Sequence, residues 1–353
     1  MRIVVNDIAA SCGGAMTILK QFYNYVRIHD TENEWIFFLG DRYLEETAKI
    51  KVICFPEIKE SRVRKVLFDC FYGRKVVESY QPDVVVSLQN IITFGVKAPQ
   101  VLYIHQSIPF QNVKKFSFFK TNERQIAVIQ YFIGAFIKES AKKANKVFVQ
   151  TKWMKEAVLE TTRISEDKVF VAFPDVELFE PDNLRFNPKR FFYPTSNELY
   201  KNIDAIIQAC NILNHKGIHD FEVRLTLEEG IVEHKNINCI GRLDREQMQE
   251  EYQTGTLIFP SFIETVGLPL LEAKSCNTMI LASDTLFSHE CLDGYKNVKY
   301  FKYYDYVKLA YGMEVIINGT HNLYDISHSE KKNNDWELFM KAITSKEDEM
   351  LWI

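Results

Sequence analysis

Glu264 and Glu272 bracket an apolar segment that opens a helix. Pro269 suits a first helical turn, and Asn277 suits the left-handed position after Cys276. The helix is therefore expected to start near Gly267 or Leu268, with its first amide N–H groups unsatisfied. At 1.5 Å rise per residue the two carboxylates lie at most ~12 Å apart along the axis. That is too far for clamping one metal ion. It suits gripping both ends of an elongated ligand whose anionic middle faces the helix N-terminus. A sugar–diphosphate–ribose has that layout. Val266, Leu268, Leu270, Leu271 and Ala273 mark the helix as buried rather than solvated.

Two other segments could meet a ligand. Ser11-Cys12-Gly13-Gly14 follows a first apolar run and opens a helix at Ala15, so backbone can approach an anion there. It is not GxGxxG, and a tight turn without a ligand explains it equally well. In 113–146, Lys114, Lys115, Lys120, Arg124, Lys138, Lys142, Lys143 and Lys146 flank Phe116, Phe118, Phe119, Tyr131, Phe132 and Phe136. That pattern suits an anionic membrane surface, and equally a packed helix with snorkelling lysines. No HExxH or DxD spacing occurs, so no metal or other cofactor is expected. Seven scattered cysteines without a CxxC pair fit a reducing cytoplasm.

Short β-branched runs alternate with longer amphipathic ones. Strands are expected at 3–5, 35–39, 51–55, 84–87, 101–104 and 147–150, with helices at 15–27, 62–80, 122–144 and 152–161. The alternation pauses at 173–187, where Pro174 and Pro181 fall among acidic residues, and then restarts. In the second half, strands are expected at 190–193, 222–226, 238–241, 257–260, 279–282 and 298–301. Helices are expected at 202–214, 245–254, 269–276, 305–318 and 335–343. The result is an α/β chain of two Rossmann-like, doubly wound domains facing a central cleft. The first spans 1–172, the second 188–334, with a linker at 173–187 and a last helix at about 335–353 that can pack back on the first.

Composition agrees with two globular domains: 353 residues, 46% hydrophobic and 25% charged. Net charge is −4 and excludes no partner by itself, but its distribution is uneven. Residues 1–172 hold 25 Lys and Arg against 18 Asp and Glu, a net +7, and the remainder nets −11. Nucleic acid is not expected, since no binding module is recognisable and half the chain is acidic. MRIVVNDIAA lacks a signal-peptide core, and the longest nearly apolar run, 126–137, is too short to span a bilayer. A cytoplasmic protein is expected, peripheral at the inner membrane face if the basic segment binds there.

"FPSFIETVGLPLLEA" resembles the E-x7-E motif of retaining GT-B glycosyltransferases of the family 4 group, the glycosyl transferases group 1. In chain order, "GGAMTILKQF" is similar to the family's N-terminal donor loop and "YIHQSIPF" to its cleft-histidine segment. "ANKVFVQTKWMKEAV" resembles the strand and helix before the linker, "IGRLDREQMQEEYQTGTLIFPS" the approach to the Glu motif, and "NNDWELFMKAI" the final helix. The resemblance implies an N-terminal acceptor domain and a C-terminal donor domain. Glu272 would hold the nucleotide ribose, with Glu264 and His105 at the donor sugar as catalytic residues. Main-chain amides of Val266, Gly267 and Leu268 would face the sugar and diphosphate, with Gly13 and Gly14 lending theirs from the other domain. Lys201, in "TSNELYKNID", would neutralise the leaving diphosphate, where negative charge develops. Many members carry an Arg about six residues before this Lys. This chain has Thr195 and Ser196 there, so hydroxyls such as that of Ser196 would share the phosphate. The implied reaction moves a hexosyl group (EC 2.4) from a nucleotide-sugar to a glycan or lipid-linked acceptor in surface polysaccharide synthesis. A nucleotide-sugar epimerase or phosphorylase, or a non-catalytic two-lobed binding subunit, would use the same fold.

Overall fold

Strands buried on both faces read as unbroken apolar runs, and Trp35-Ile36-Phe37-Phe38-Leu39 is such a run. In the computed structural model, described over residues 1–11, 13–176, 178–179, 185–319 and 335–345, the chain divides into two compact units. Unit 1 is Met1–Asp175 with Asn333–Ile353, and unit 2 is Val176–Lys332. Of the expected linker, 177 and 180–184 lie outside the described residues, as do 320–334 and 346–353.

Unit 1 holds a parallel sheet of β1 (Arg2–Asp7), β2 (Glu34–Leu39), β3 (Ile50–Cys54), β4 (Val84–Ser87), β5 (Gln100–Ile104), β6 (Lys146–Val149) and β7 (Val169–Val171). Their spatial order is β3-β2-β1-β4-β5-β6-β7. The two-residue period of a strand divides its side chains between two cores. Ile3, Val5, Trp35, Phe37 and Leu39 point to one face, packed by Phe22 of the helix Gly13–His29. Val4, Ile36, Phe38 and Val85 point to the other, packed by Phe68 and Val77. The C-terminal helix Trp336–Thr344 belongs to the first core. Its Phe339 ring lies 5.1 Å from Phe22, 5.5 Å from Tyr103 and 4.8 Å from Phe148.

Unit 2 repeats the design with β8 (Arg190–Tyr193), β9 (Glu222–Leu225), β10 (Ile237–Cys239), β11 (Thr256–Phe259), β12 (Ile280–Ser283) and β13 (Val298–Phe301). They are ordered β10-β9-β8-β11-β12-β13, again parallel. Chain direction across the sheet reverses between β8 and β11. The carboxyl ends of strands at such a reversal are the usual ligand position in sheets of this kind.

The structure corrects several expectations. The helix expected at 62–80 is Arg62–Leu67 and Gly73–Ser79 joined through a π turn, Phe68–Tyr72. That expected at 122–144 begins at Arg124 and carries a second π turn, Val128–Ile133. A single wider turn is too short to set a period of its own, so apolar spacing over a long helical stretch does not single it out. The first helix starts at Gly13, so both glycines lie in its first turn rather than ahead of it. β7 and the helix Leu286–Cys291 had no expectation; both are too short to show a period. Asn277 takes the left-handed conformation, φ 55°.

No helix among the described residues is long and apolar enough to cross a membrane. In the basic segment Phe116 is buried, not on a surface. Lys114 and Lys120 are paired with Glu123 at 3.1 and 3.6 Å. Outward remain Lys115, Arg124, Lys142 and Lys143 together with aromatics, Phe119 being 95% and Phe132 69% exposed.

Candidate functional site

The β8 and β11 loops carry candidate site residues of unit 2. After β8 the chain runs through Thr195 and Ser196 into a short 3-10 turn, Leu199–Lys201. Asn202 then takes a left-handed conformation, φ 60°, and ties two loops down: its Nδ2 donates to Pro260 O at 3.2 Å and Tyr303 O at 2.7 Å. After β11, Phe262 N donates to Tyr200 O at 3.1 Å, clipping the two loops together.

Lys201 and Glu264 meet through this arrangement. Lys201 Nζ lies 2.7 Å from Glu264 Oε1, and the two side chains are only 20% and 16% exposed. Ser261 Oγ donates to the same oxygen at 2.7 Å. Oε2 takes no protein hydrogen bond among the described residues, which leaves one oxygen of a fixed carboxylate for a ligand. Ser261 was missed from sequence, although it lies in the same motif three residues ahead.

Gly267 ends the loop at φ 87°, a conformation costly for any residue with a Cβ. The helix Leu268–Ser275 follows, with no side-chain cap and Pro269 in its first turn. Glu272 lies within it, and burial raises its carboxyl pKa. Its Oε2 accepts from Tyr252 OH at 2.6 Å. Val266 is buried, with its carbonyl taking the Cys291 thiol.

A cavity of about 490 Å³ lies at the same carboxyl edge. Thr195, Ser196, Thr226, Leu227, Ile231 and Arg242, from the loops after β8, β9 and β10, line it together with Met248 of the helix Arg245–Thr254. Of these, sequence reading had singled out only Ser196, with Thr195 noted beside it. Apolar and hydroxyl side chains with one guanidinium can enclose a flat polar ring.

Unit 1 holds the remaining expected residues. Gly13, φ 59°, and Gly14 have open space where a Cβ would stand, at the start of the helix after β1. His105 follows β5. Its main-chain N–H donates to Asn90 Oδ1 at 2.7 Å and its Nε2 lies 2.9 Å from Leu88 O. Nε2 also lies 3.2 Å from Asn90 Nδ2, a donor, but the shorter contact is to a carbonyl, which can only accept, and this favours the proton on Nε2 and the lone pair on Nδ1. Burial lowers its pKa to about 4, so the ring is neutral near pH 7. Among the described residues no group of three or more His, Cys, Asp or Glu is placed to hold a metal ion.

Residues 176–325 match the family model of glycosyl transferases group 1. Among solved structures, WaaG, a glycosyltransferase involved in lipopolysaccharide biosynthesis, is 11% identical with TM-score 0.64, over 98% of this chain and 100% of that one. HepE of Anabaena in complex with UDP-glucose is 13% identical with TM-score 0.59, over 97% and 95%. The fold is GT-B.

Not every GT-B structure it resembles is of the same size. TarM is 16% identical with TM-score 0.52, over 67% of this chain, which spans about half of TarM's length, 48%. No curated protein matches the chain by sequence. In the GT-B description, Lys201, Glu264, Glu272, Ser196 and the 266–268 backbone share unit 2, and Gly13, Gly14 and His105 share unit 1.

Proposed function

We propose that the chain is a retaining glycosyltransferase of the family 4 type. It moves a hexosyl group from a nucleotide-sugar bound by unit 2 to a glycan or lipid-linked saccharide acceptor bound by unit 1, in surface polysaccharide synthesis. The observation that carries the reading is the Lys201–Glu264 pair, from the loops after the two strands where strand order reverses, on a sheet whose β8, β9 and β10 ends also hold a cavity. In this reading the nucleoside occupies the cavity, Glu272 Oε1 takes ribose hydroxyls, and the diphosphate meets Lys201, Ser196 and the 266–268 amides.

Departure of the diphosphate leaves positive charge on the sugar carbon and negative charge on phosphate. A carboxylate and an ammonium held side by side match those two charges in sign. The pair is already desolvated and hydrogen-bonded, so little reorganisation accompanies the step. Retention follows when the acceptor attacks from the face the phosphate leaves, with Glu264 steadying charge. Neutral His105 offers Nδ1 as an acceptor for a donor-sugar hydroxyl. UDP is the first nucleotide to test, because HepE was solved with UDP-glucose.

The test is a thermal-shift screen with UDP, GDP, dTDP and ADP, then their sugars, because ligand binding appears as added stability. One nucleoside diphosphate should stabilise the protein, and its sugar should be transferred with the anomeric configuration kept. If none of the four raises the unfolding temperature, the donor reading fails. Epimerised donor without transfer would replace it with the epimerase reading.

A further inference from the structure

Glu272 is a flexible side chain carrying a buried charge. Something must choose its rotamer and leave one oxygen outward. Tyr252, on the helix Arg245–Thr254, does both: its OH donates to Oε2 at 2.6 Å and its ring is 1% exposed. The ring is itself held. Phe192 of β8 packs edge-on at 5.5 Å and Phe179 at 5.8 Å, and Thr278 Oγ1 donates to the Tyr252 carbonyl at 2.6 Å.

Phe179 comes from the chain between β7 and β8, outside any nucleotide contact proposed above. It is 6% exposed and held on two sides. Its N–H donates to Ser275 Oγ at 3.0 Å, and Ser275 Oγ donates to Glu272 O at 2.7 Å. Above its ring stands the Arg245 guanidinium, 4.6 Å from the centroid, whose Nη2 donates to Leu178 O at 3.2 Å.

We infer that Tyr252 is the positioning residue that sets Glu272 for the nucleotide, and that Phe179 braces Tyr252 in that role. The inference rests on the reading of Glu272 as a nucleotide-binding group. A carboxylate preset by a fixed donor loses less conformational freedom on binding, and its orienting partner acts without touching the ligand. Nucleotide affinity thereby depends on a residue near the start of unit 2, ahead of β8.

The experiment is calorimetric titration with whichever of UDP, GDP, dTDP and ADP the wild type binds tightest. The proteins are wild type, Tyr252→Phe, Glu272→Gln, the double variant and Phe179→Leu, each checked for a native unfolding transition. Tyr252→Phe should weaken binding by roughly tenfold, as for loss of a hydrogen bond to a charged group. In the double variant binding should be no weaker than in Glu272→Gln alone, because Tyr252 acts only through that carboxylate. Phe179→Leu should weaken binding severalfold while Glu272 is present.

A pH series adds a second readout. Glu272 is faced by Tyr252 and Arg245 from the neighbouring helix and by Cys276 on its own. Removing the Tyr252 donor raises the pH at which the carboxyl takes a proton, so Tyr252→Phe should lose affinity at higher pH than wild type does. Unchanged affinity in Tyr252→Phe, or losses that simply add in the double variant, would overturn the inference. If Glu272→Gln binds as wild type does, the underlying reading fails instead.

Discussion

Lys201 Nζ and Glu264 Oε1 are 2.7 Å apart, in side chains only 20% and 16% exposed, although 63 residues separate them in the chain. Neither charge is spent on solvent. The pair is neutral as a whole, so it can wait desolvated and be divided between the two ends of a ligand whose charge separates during reaction.

Replacing Glu264 with Ala is expected to lower turnover by roughly 10²-fold or more, the scale of removing one preorganised charge-stabilising group. Affinity for the nucleoside diphosphate should barely change, because Glu264 is assigned to the sugar. Steady-state rates beside calorimetry check this; normal turnover would make Glu264 merely the partner that keeps Lys201 buried.

Lys201→Ala should weaken nucleoside diphosphate binding more than monophosphate binding. The lone Glu264 charge it leaves should repel the phosphates. Consequently, the double variant Lys201→Ala with Glu264→Ala should bind diphosphate more tightly than Lys201→Ala alone. No recovery in the double variant would mean that Lys201 does not meet the diphosphate.

Asp7 ends β1 with 1% exposure, and among the described residues neither carboxylate oxygen has a hydrogen-bond partner. Burial raises its pKa to about 7, against the opposing pull of Lys65. A folded pKa above the unfolded value means stability is fully present below the ordinary carboxylate range and is lost as pH rises through 7. Asp7→Asn, which cannot ionise, should therefore unfold at a higher temperature than wild type at pH 8. The gap should narrow by pH 5 and close only below about pH 4, where the unfolded carboxyl is protonated too. Calorimetric scans at both pH values decide it, and equal melting at pH 8 would show that the charge finds a partner.

Phe339→Ala should destabilise unit 1 by about 3–5 kcal/mol, since a fully buried ring among Phe22, Tyr103 and Phe148 leaves a cavity. Denaturant midpoints would measure it. A change below about 1 kcal/mol would show that the C-terminal helix contributes little to that core.

The acceptor reading also places unit 1 at an anionic membrane surface. The exposed groups suited to it are Lys115, Phe119 and Phe132 rather than the Glu123-paired Lys114 and Lys120. Sedimentation with anionic vesicles should fall as salt rises, and a Lys115→Glu, Phe119→Ser, Phe132→Ser variant should not pellet. Equal, negligible pelleting of wild type at every salt concentration would turn the acceptor towards a soluble molecule.

Much of this protein is written locally. Strands such as 35–39 need only their own apolar run to be recognised, and the helix after Gly267 needs only its proline, its glycine and Asn277. Glu264 and Glu272 were visible because one short segment holds both, with the features that start the helix between them. Lys201 was visible only through resemblance, and its pairing with Glu264 was not visible at all. That contact exists because β8 and β11 are neighbours at the point where strand order reverses, and Asn202 then ties their loops together. Nothing in the sequence marks Tyr252, whose hydroxyl lies 2.6 Å from Glu272. The lining of the cavity comes from three loops, none of which carries a pattern of its own, and from one helix residue, Met248. Local sequence fixes periods, turns and caps because those depend on neighbours along the chain. Which charge meets which, and which oxygen is left open, depends on strand order, and only the folded sheet decides that.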